Sequence, residues 1–278
     1  MLVRTIALFL IAALGTAVTP SHPNEAASYL GFDRNDYPGD ENLAALRKTF
    51  SFAGYWLNNP PGEKSNTWTG KRPAVASAGF GFLVLFNGRL YAELKNPAKA
   101  AQMGKADAHA AASSARREGF PAGTIVFLDQ EQGGRMLPEQ KAYIYAWVDG
   151  VTGAGFRAGV YCSGIAAQEA PGVSVVTAED IRHNAGGRQI VYFVTNDACP
   201  PSPGCVFPKH ALDPQASTID FADIWQFAQS PKRPDVAAQC LGYSRDGECY
   251  PPGIDAARRL HVDVDTATSA DPSQGRDR

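Results

Sequence analysis

The stretch Gly119-Phe-Pro-Ala-Gly-Thr-Ile-Val-Phe-Leu-Asp-Gln-Glu131 decides the fold. Thr124 to Leu128 is an unbroken apolar run, rich in β-branched residues and bounded by Gly123 and Asp129. Such a run reads as a strand buried on both faces. Before it lies the Ala-rich segment Asn96 to Glu118, long enough for about six helical turns and closed by Gly119. After it, Glu139 to Val151 carries a second helical pattern. A strand set between two helices is the unit of a parallel sheet. Asp129 and Glu131 end this strand two residues apart, so they share a face with Phe127 and Ile125.

The same unit recurs in both directions. Strands are predicted at Tyr29–Asp33, Phe52–Leu57, Phe80–Phe86, Ala158–Cys162, Gln189–Val194, Phe221–Phe227 and Arg259–Val264. Further helices are predicted over Glu41–Phe50, with Asp40 as N-cap, and from Thr177. Eight strands within about 250 residues fit a single closed (β/α)8 TIM barrel. A doubly wound open sheet is the alternative. No boundary splits the chain, so one barrel is expected over residues 28–267, with the polar tail 268–278 disordered.

Composition agrees with a globular chain. Of 278 residues 44% are hydrophobic, which excludes disorder, and a formal charge of −2 leaves no basic excess for nucleic acid. Residues 1–17 have the form of a signal peptide: Arg4, an apolar run from Ile6 to Leu14, and the small residues Gly15-Thr16-Ala17. An uncleaved N-terminal anchor is the alternative. The apolar run is too short to span a bilayer, and no second such run follows, so the mature chain is expected to be secreted, monomeric and without a membrane span. Five cysteines agree with export to an oxidising compartment. Proximity predicts the local disulfides Cys199–Cys205 and Cys240–Cys249, with Cys162 buried in a strand. No His stands at ligand spacing from either pair, and no metal or cofactor is expected.

Chemistry in such a barrel gathers at the C-terminal strand ends. Acids end the first, fourth and eighth predicted strands: Asp33, Asp129 with Glu131, and Asp263 with Asp265. His261, Asp263 and Asp265 share one face of the last strand and Val262 and Val264 the other, so the acids should point into the mouth. The first and last strands are neighbours in a closed barrel, which brings Asp263 or Asp265 near Asp33, with Glu131 opposite. Carboxyls crowded in a dry cavity keep protons to higher pH, and a protonated acid beside ionised ones is what glycosidic cleavage uses. A hard cation, or ion pairing with Arg34, Arg89 or Arg135, is the competing use. Tyr37, Trp56, Trp68 and Tyr161 lie where aromatic rings could stack on sugars, Trp68 most suggestively in the polar loop Asn66-Thr-Trp-Thr-Gly70.

The motifs Gly31–Asp36 (GFDRND), Gly79–Arg89, Gly119–Gly134, Gly155–Gly164, IWQF and HVDVD, in this order, resemble the glycoside hydrolase-like TIM-barrel domain of secreted bacterial proteins. That domain is similar to the family 25 glycoside hydrolases, lysozymes that cut peptidoglycan. The resemblance implies that Asp129-Gln130-Glu131 matches the lysozyme D-x-E signature, with Glu131 as general acid and Asp129 and Asp33 in support. It puts Trp225-Gln226-Phe227 and Asp263-Val-Asp265 in the places of substrate-contacting residues, Asp265 being an outer candidate. It implies a cell-wall glycan as partner. The chain departs from the lysozyme pattern at Arg34-Asn35, at Phe227 where Tyr is usual, and at Thr266 where Asn is usual. A barrel that binds glycan without cutting it, or that binds other envelope proteins through its cysteine loops, would carry the same motifs.

Overall fold

The computed structural model describes residues 28–277; the expected signal segment 1–17 lies outside them. The eight predicted strands are present as β1 (Tyr29–Asp33), β2 (Phe52–Trp56), β3 (Gly81–Asn87), β4 (Ile125–Asp129), β5 (Arg157–Ser163), β8 (Ile190–Thr195), β9 (Ile224–Ala228) and β10 (Asp263–Ala267), the last beginning four residues later than the expected Arg259. They close in the order β1-β10-β9-β8-β5-β4-β3-β2, with β2 returning to β1. The fold is therefore a single α/β barrel. Helices α1 (Asp40–Leu46), α2 (Arg72–Ser77), α3 (Pro97–Arg117), α4 (Pro138–Gly153) and α5 (Thr177–His183) intervene between strands up to β8. Asn96 caps α3, its side chain accepting from the Lys99 amide. Gly104 lets α3 and α4 close up, since a Cβ there would lie 2.3 Å from the Tyr143 carbonyl. A hairpin of β6 (Ala166–Ala170) and β7 (Val173–Val176), which the hydropathy pattern does not show, follows β5.

The strict strand–helix alternation ends after β8. Among the described residues, 196–223 and 229–262 contain only short 3-10 turns. A parallel return from β9 would need a crossover to the far end of the barrel. The chain instead stays at the mouth over 229–262 and enters β10 from there, so β10 runs antiparallel to both β1 and β9. Seven strands are parallel and the eighth is reversed, a departure from the all-parallel sheet that the alternation predicts.

These two long loops carry the disulfides, and the local pairing is wrong. Cys199 bonds Cys240 and Cys205 bonds Cys249, with Cα separations of 5.2 and 5.5 Å. Each bridge ties one loop to the other. Nearness in sequence misleads here because neither loop has a core of its own, and each lies against the other. Cys162 is buried and unpaired, as its strand position implies.

The C-terminal tail is likewise not disordered. It wedges between the N-terminal ends of β3 and β4, opposite the mouth. The Asp271 carboxylate accepts from the Phe82 amide (2.8 Å) and the Ser273 hydroxyl from the Val84 amide (2.7 Å). The Ser273 carbonyl accepts from the Ile125 amide, and the Ser273 amide donates to the Phe82 carbonyl. Gly81 leaves room for this segment, since a Cβ there would lie 2.0 Å from the Ala270 carbonyl.

Candidate active site

Acids from three strands converge at the mouth. Asp33 ends β1, Asp129 ends β4 with Glu131 just beyond it, and Asp263 opens β10. Register places Asp263 directly opposite Asp33, and Asp265 opposite Gly31, one inward-facing position deeper. Gly54 on β2 makes the space for Asp33: a Cβ there would lie 2.5 Å from the Asp33 Cβ. Asp33, Asp129, Glu131 and Asp263 line a cavity of about 150 Å³, walled by Trp56 and Tyr161.

Gln226 of β9 organises one side of this cavity. Its Nε2 donates to Asp33 Oδ2 (2.9 Å) and to Asp263 Oδ2 (3.3 Å). Its Oε1 accepts from the Tyr161 hydroxyl (2.7 Å), which in turn accepts from Gln229 Nε2 (3.1 Å). The Ser230 amide donates to the other oxygen of Asp263. One amide side chain thus fixes two carboxylates and a phenol. Gln229 and Ser230 were not read from the sequence, because their loop 229–262 carries no periodic pattern that would place them.

Burial sets the electrostatics. Asp33 is pushed up to about 6, chiefly by loss of water; the Gln226 hydrogen bond opposes the rise and Glu131 adds to it. Asp129, 5% exposed, sits well above the usual carboxylate range through burial, then repulsion from Glu131 and Asp33. Glu131 is open to the mouth, yet the walls crowd its carboxyl and raise its pKa, while a hydrogen bond with Asp129 holds it down. Burial raises both members of this pair, Asp129 lies deeper, and Glu131 is the member that reaches the open space. Asp263 is raised by burial and by Asp33.

Several expected site residues fall elsewhere. Asp265 is not an outer candidate but the innermost acid. It is fully buried, raised well above its ordinary value by burial and by Asp33, because the reversal of β10 sends its C-terminal end away from the mouth. Trp225 alternates with Gln226 and therefore points out of the barrel; it is buried against Phe227, its indole N–H donating to the Asn196 carbonyl. It contacts no substrate space. Phe227 shares that outward face, so the hydroxyl it lacks has no bearing on the cavity. Trp68 is fully buried, donating to the carbonyls of Arg34 and Asn35 and packed edge-on to Tyr55 and Tyr37. Its polar loop folds it inward to support the turn after β1. Of the four aromatic candidates, Trp56 and Tyr161 line the cavity.

The cavity continues on both sides. Glu131, Tyr161 and Gln229 also border a space of about 550 Å³ running to the β6–β7 hairpin. Asn35 and Asp263 also border one of about 250 Å³ reaching His261. Together they form a groove across the mouth with the acids at its centre.

An α/β barrel whose mouth holds carboxyls facing each other across a groove has the form of the glycoside hydrolase-like barrels. Residues 50–235 match the family described as the Rv2525c-like, glycoside hydrolase-like domain, and the chain belongs to that family. It is similar in fold to an uncharacterised B. stearothermophilus protein, at 20% identity over 86% of this chain and 95% of that one, with a TM-score of 0.51. It is similar also to the Clostridium perfringens spore cortex lytic enzyme SleM, at 12% identity over 89% of this chain and 69% of that one, with a TM-score of 0.50. The Mycobacterium tuberculosis Tat-secreted protein Rv2525c aligns at 12% identity over 87% of this chain and 95% of that one, with a TM-score of 0.46. No curated protein matches the sequence. Among the described residues no helix is long and apolar enough to cross a membrane.

Proposed function

We propose that this chain is a secreted glycoside hydrolase acting on peptidoglycan or a related bacterial glycan, with Glu131 as general acid. The observation that carries the reading is the pairing of an accessible Glu131 with a buried, proton-holding Asp129, facing Asp33, Gln226 and Asp263 across one small cavity. Glu131 gives its proton to the leaving glycosidic oxygen. The neutral Asp129 then stabilises the Glu131 carboxylate by donating a hydrogen bond to it. Asp33, ionised above about pH 6 and held by Gln226, faces the positive charge that develops at the sugar carbon. The groove on either side accepts further sugars of a polymer. A glycan of the cell exterior agrees with the two disulfides and with the cortex-lytic activity named for SleM.

The test is to incubate the purified protein and its Glu131→Gln variant with purified peptidoglycan and read released reducing ends by mass spectrometry. Muropeptide release by wild type alone is the expected result. Release by both overturns the role of Glu131. Co-sedimentation without release by either replaces the hydrolase with a glycan-binding barrel.

A further inference from the structure

Arg34 is the chain's departure from the lysozyme pattern beside the first acid, and its side chain is unemployed. Its backbone carbonyl accepts from the indole N–H groups of Trp56 (3.1 Å) and Trp68 (3.3 Å). Its guanidinium, by contrast, makes no hydrogen bond or ion pair with any described residue, and its Nε is buried without a partner. Five N–H donors in a rigid fork are thus left unmatched. Arg34 lines the 250 Å³ cavity that shares Asn35 and Asp263 with the central one. Burial lowers its pKa, and Asp36 and Asp263 oppose that. Asp263 is itself pushed toward its neutral form by burial and by Asp33. The carboxyls of Asp36 and Glu63 belong to exposed residues on the rim, and neither bonds the fork. His261, 39% exposed, stands on the same cavity.

A planar, half-buried cation without a partner, one position past the acid of the reaction centre, fits a planar anion. We infer that Arg34 makes this cavity a subsite for a carboxylate carried by the sugar next to the one held at Asp33. The fork receives both carboxylate oxygens. The substrate class is then an acidic glycan with a free carboxylate beside the bond at the centre, and glycans in which that group is reduced or amidated fit less well. The inference rests on the glycan reading but does not require that the bond be cut.

The test is calorimetric binding with two probes. One is an oligosaccharide of alternating N-acetylhexosamine and hexuronate; the other is the same oligosaccharide with its carboxylates reduced to alcohols. The wild type should bind the carboxylated probe about tenfold more tightly, the scale of one charge-assisted hydrogen bond. Arg34→Gln should erase the difference by weakening only the carboxylated probe. Arg34→Lys, which keeps the charge and loses the fork, should restore part of it. The fold uses the backbone of residue 34 and not its side chain, so both variants should keep the wild-type circular dichroism. A wild type that binds both probes equally, or neither, overturns the inference, as does an Arg34→Gln variant that keeps the preference. Failure to release muropeptides from peptidoglycan with this discrimination intact would overturn peptidoglycan as the substrate and leave the subsite standing.

Discussion

Asp33 shows what the site costs the fold. Its folded pKa of about 6 lies above the ordinary value of 3.8, and Asp129, Asp263 and Asp265 are displaced the same way. A carboxyl raised by folding binds more protons folded than unfolded between the two values. It therefore stabilises most where it is protonated, and that stability drains away as pH rises through the folded pKa. Asp246, lowered to about 2 by Ser244 and Tyr250, has the opposite sign and acts at the acid end. Calorimetry should accordingly show the unfolding midpoint falling between about pH 4 and pH 7, and Asp33→Asn should flatten that fall. The same group sets the chemistry. If Asp33 must be ionised and Glu131 protonated, kcat/KM should rise with a limb near pH 6 and fall again as Glu131 loses its proton. Gln226 is the hinge of this balance. Gln226→Leu strips a donor from two buried carboxylates, which should cost about 1–3 kcal/mol and move the acid limb upward. A limb that stays put in this variant would show that Asp33 does not set it. These acids were legible in the sequence because side-chain parity on a strand is a backbone property. Trp68 was not, because a polar loop gives no sign of which neighbouring segment will bury its ring.

At the scale of elements, the site depends on what neighbouring strands omit. Asp33 can lean into the mouth only because β2 presents Gly54 beside it. Gly54→Ala would force a methyl into the Asp33 Cβ, and β1 and β2 would have to part or Asp33 turn away. We expect a loss of about 1–3 kcal/mol together with an activity loss as large as that of Asp33→Asn, measured by chemical denaturation and glycan release. A Gly54→Ala protein that is destabilised yet fully active would show that the position of Asp33 is not critical. The strands themselves were readable from apolar runs, α3 from its length and closing Gly119, and α4 from its helical pattern. The reversal of β10 was not readable. A strand's alternation looks the same in either direction, and only the missing helix after β9 betrays it. That reversal decides which acid matters, since it brings Asp263 to the mouth and buries Asp265 beneath it.

The whole molecule is closed by different means at its two ends. At the mouth, loops 196–223 and 229–262 take the place of helices, and the bridges Cys199–Cys240 and Cys205–Cys249 span 41 and 44 residues. Loops of that length give each bridge about 4 kcal/mol through the unfolded chain. Non-reducing peptide maps should yield these two long-range links and no Cys199–Cys205 peptide. At the opposite end the closure is made by hydrogen bonds. The tail looked dispensable in the sequence because Ser, Asp, Gln and Arg carry no hydrophobic signal. Yet Ser273 is fully buried and meets the amides of β3 and β4 where those strands have no partner on one side. A chain ending at Ala267 would strip the amides of Phe82, Val84 and Ile125 of these partners and open them to water, at about 1 kcal/mol each. That sum is a sizeable part of the stability of an ordinary domain, about 5–15 kcal/mol. The truncated chain should therefore be less stable and cleaved faster by protease at 37 °C. The single change Ser273→Ala removes the hydroxyl that serves Val84 but keeps the backbone bonds, and should lower stability by about 1–3 kcal/mol without touching glycan release. Hydrogen exchange separates this from a tail that merely rests on the surface. Loss of protection at Phe82, Val84 and Ile125 in the truncated chain is the expected pattern, and unchanged protection there would return the tail to a dispensable role.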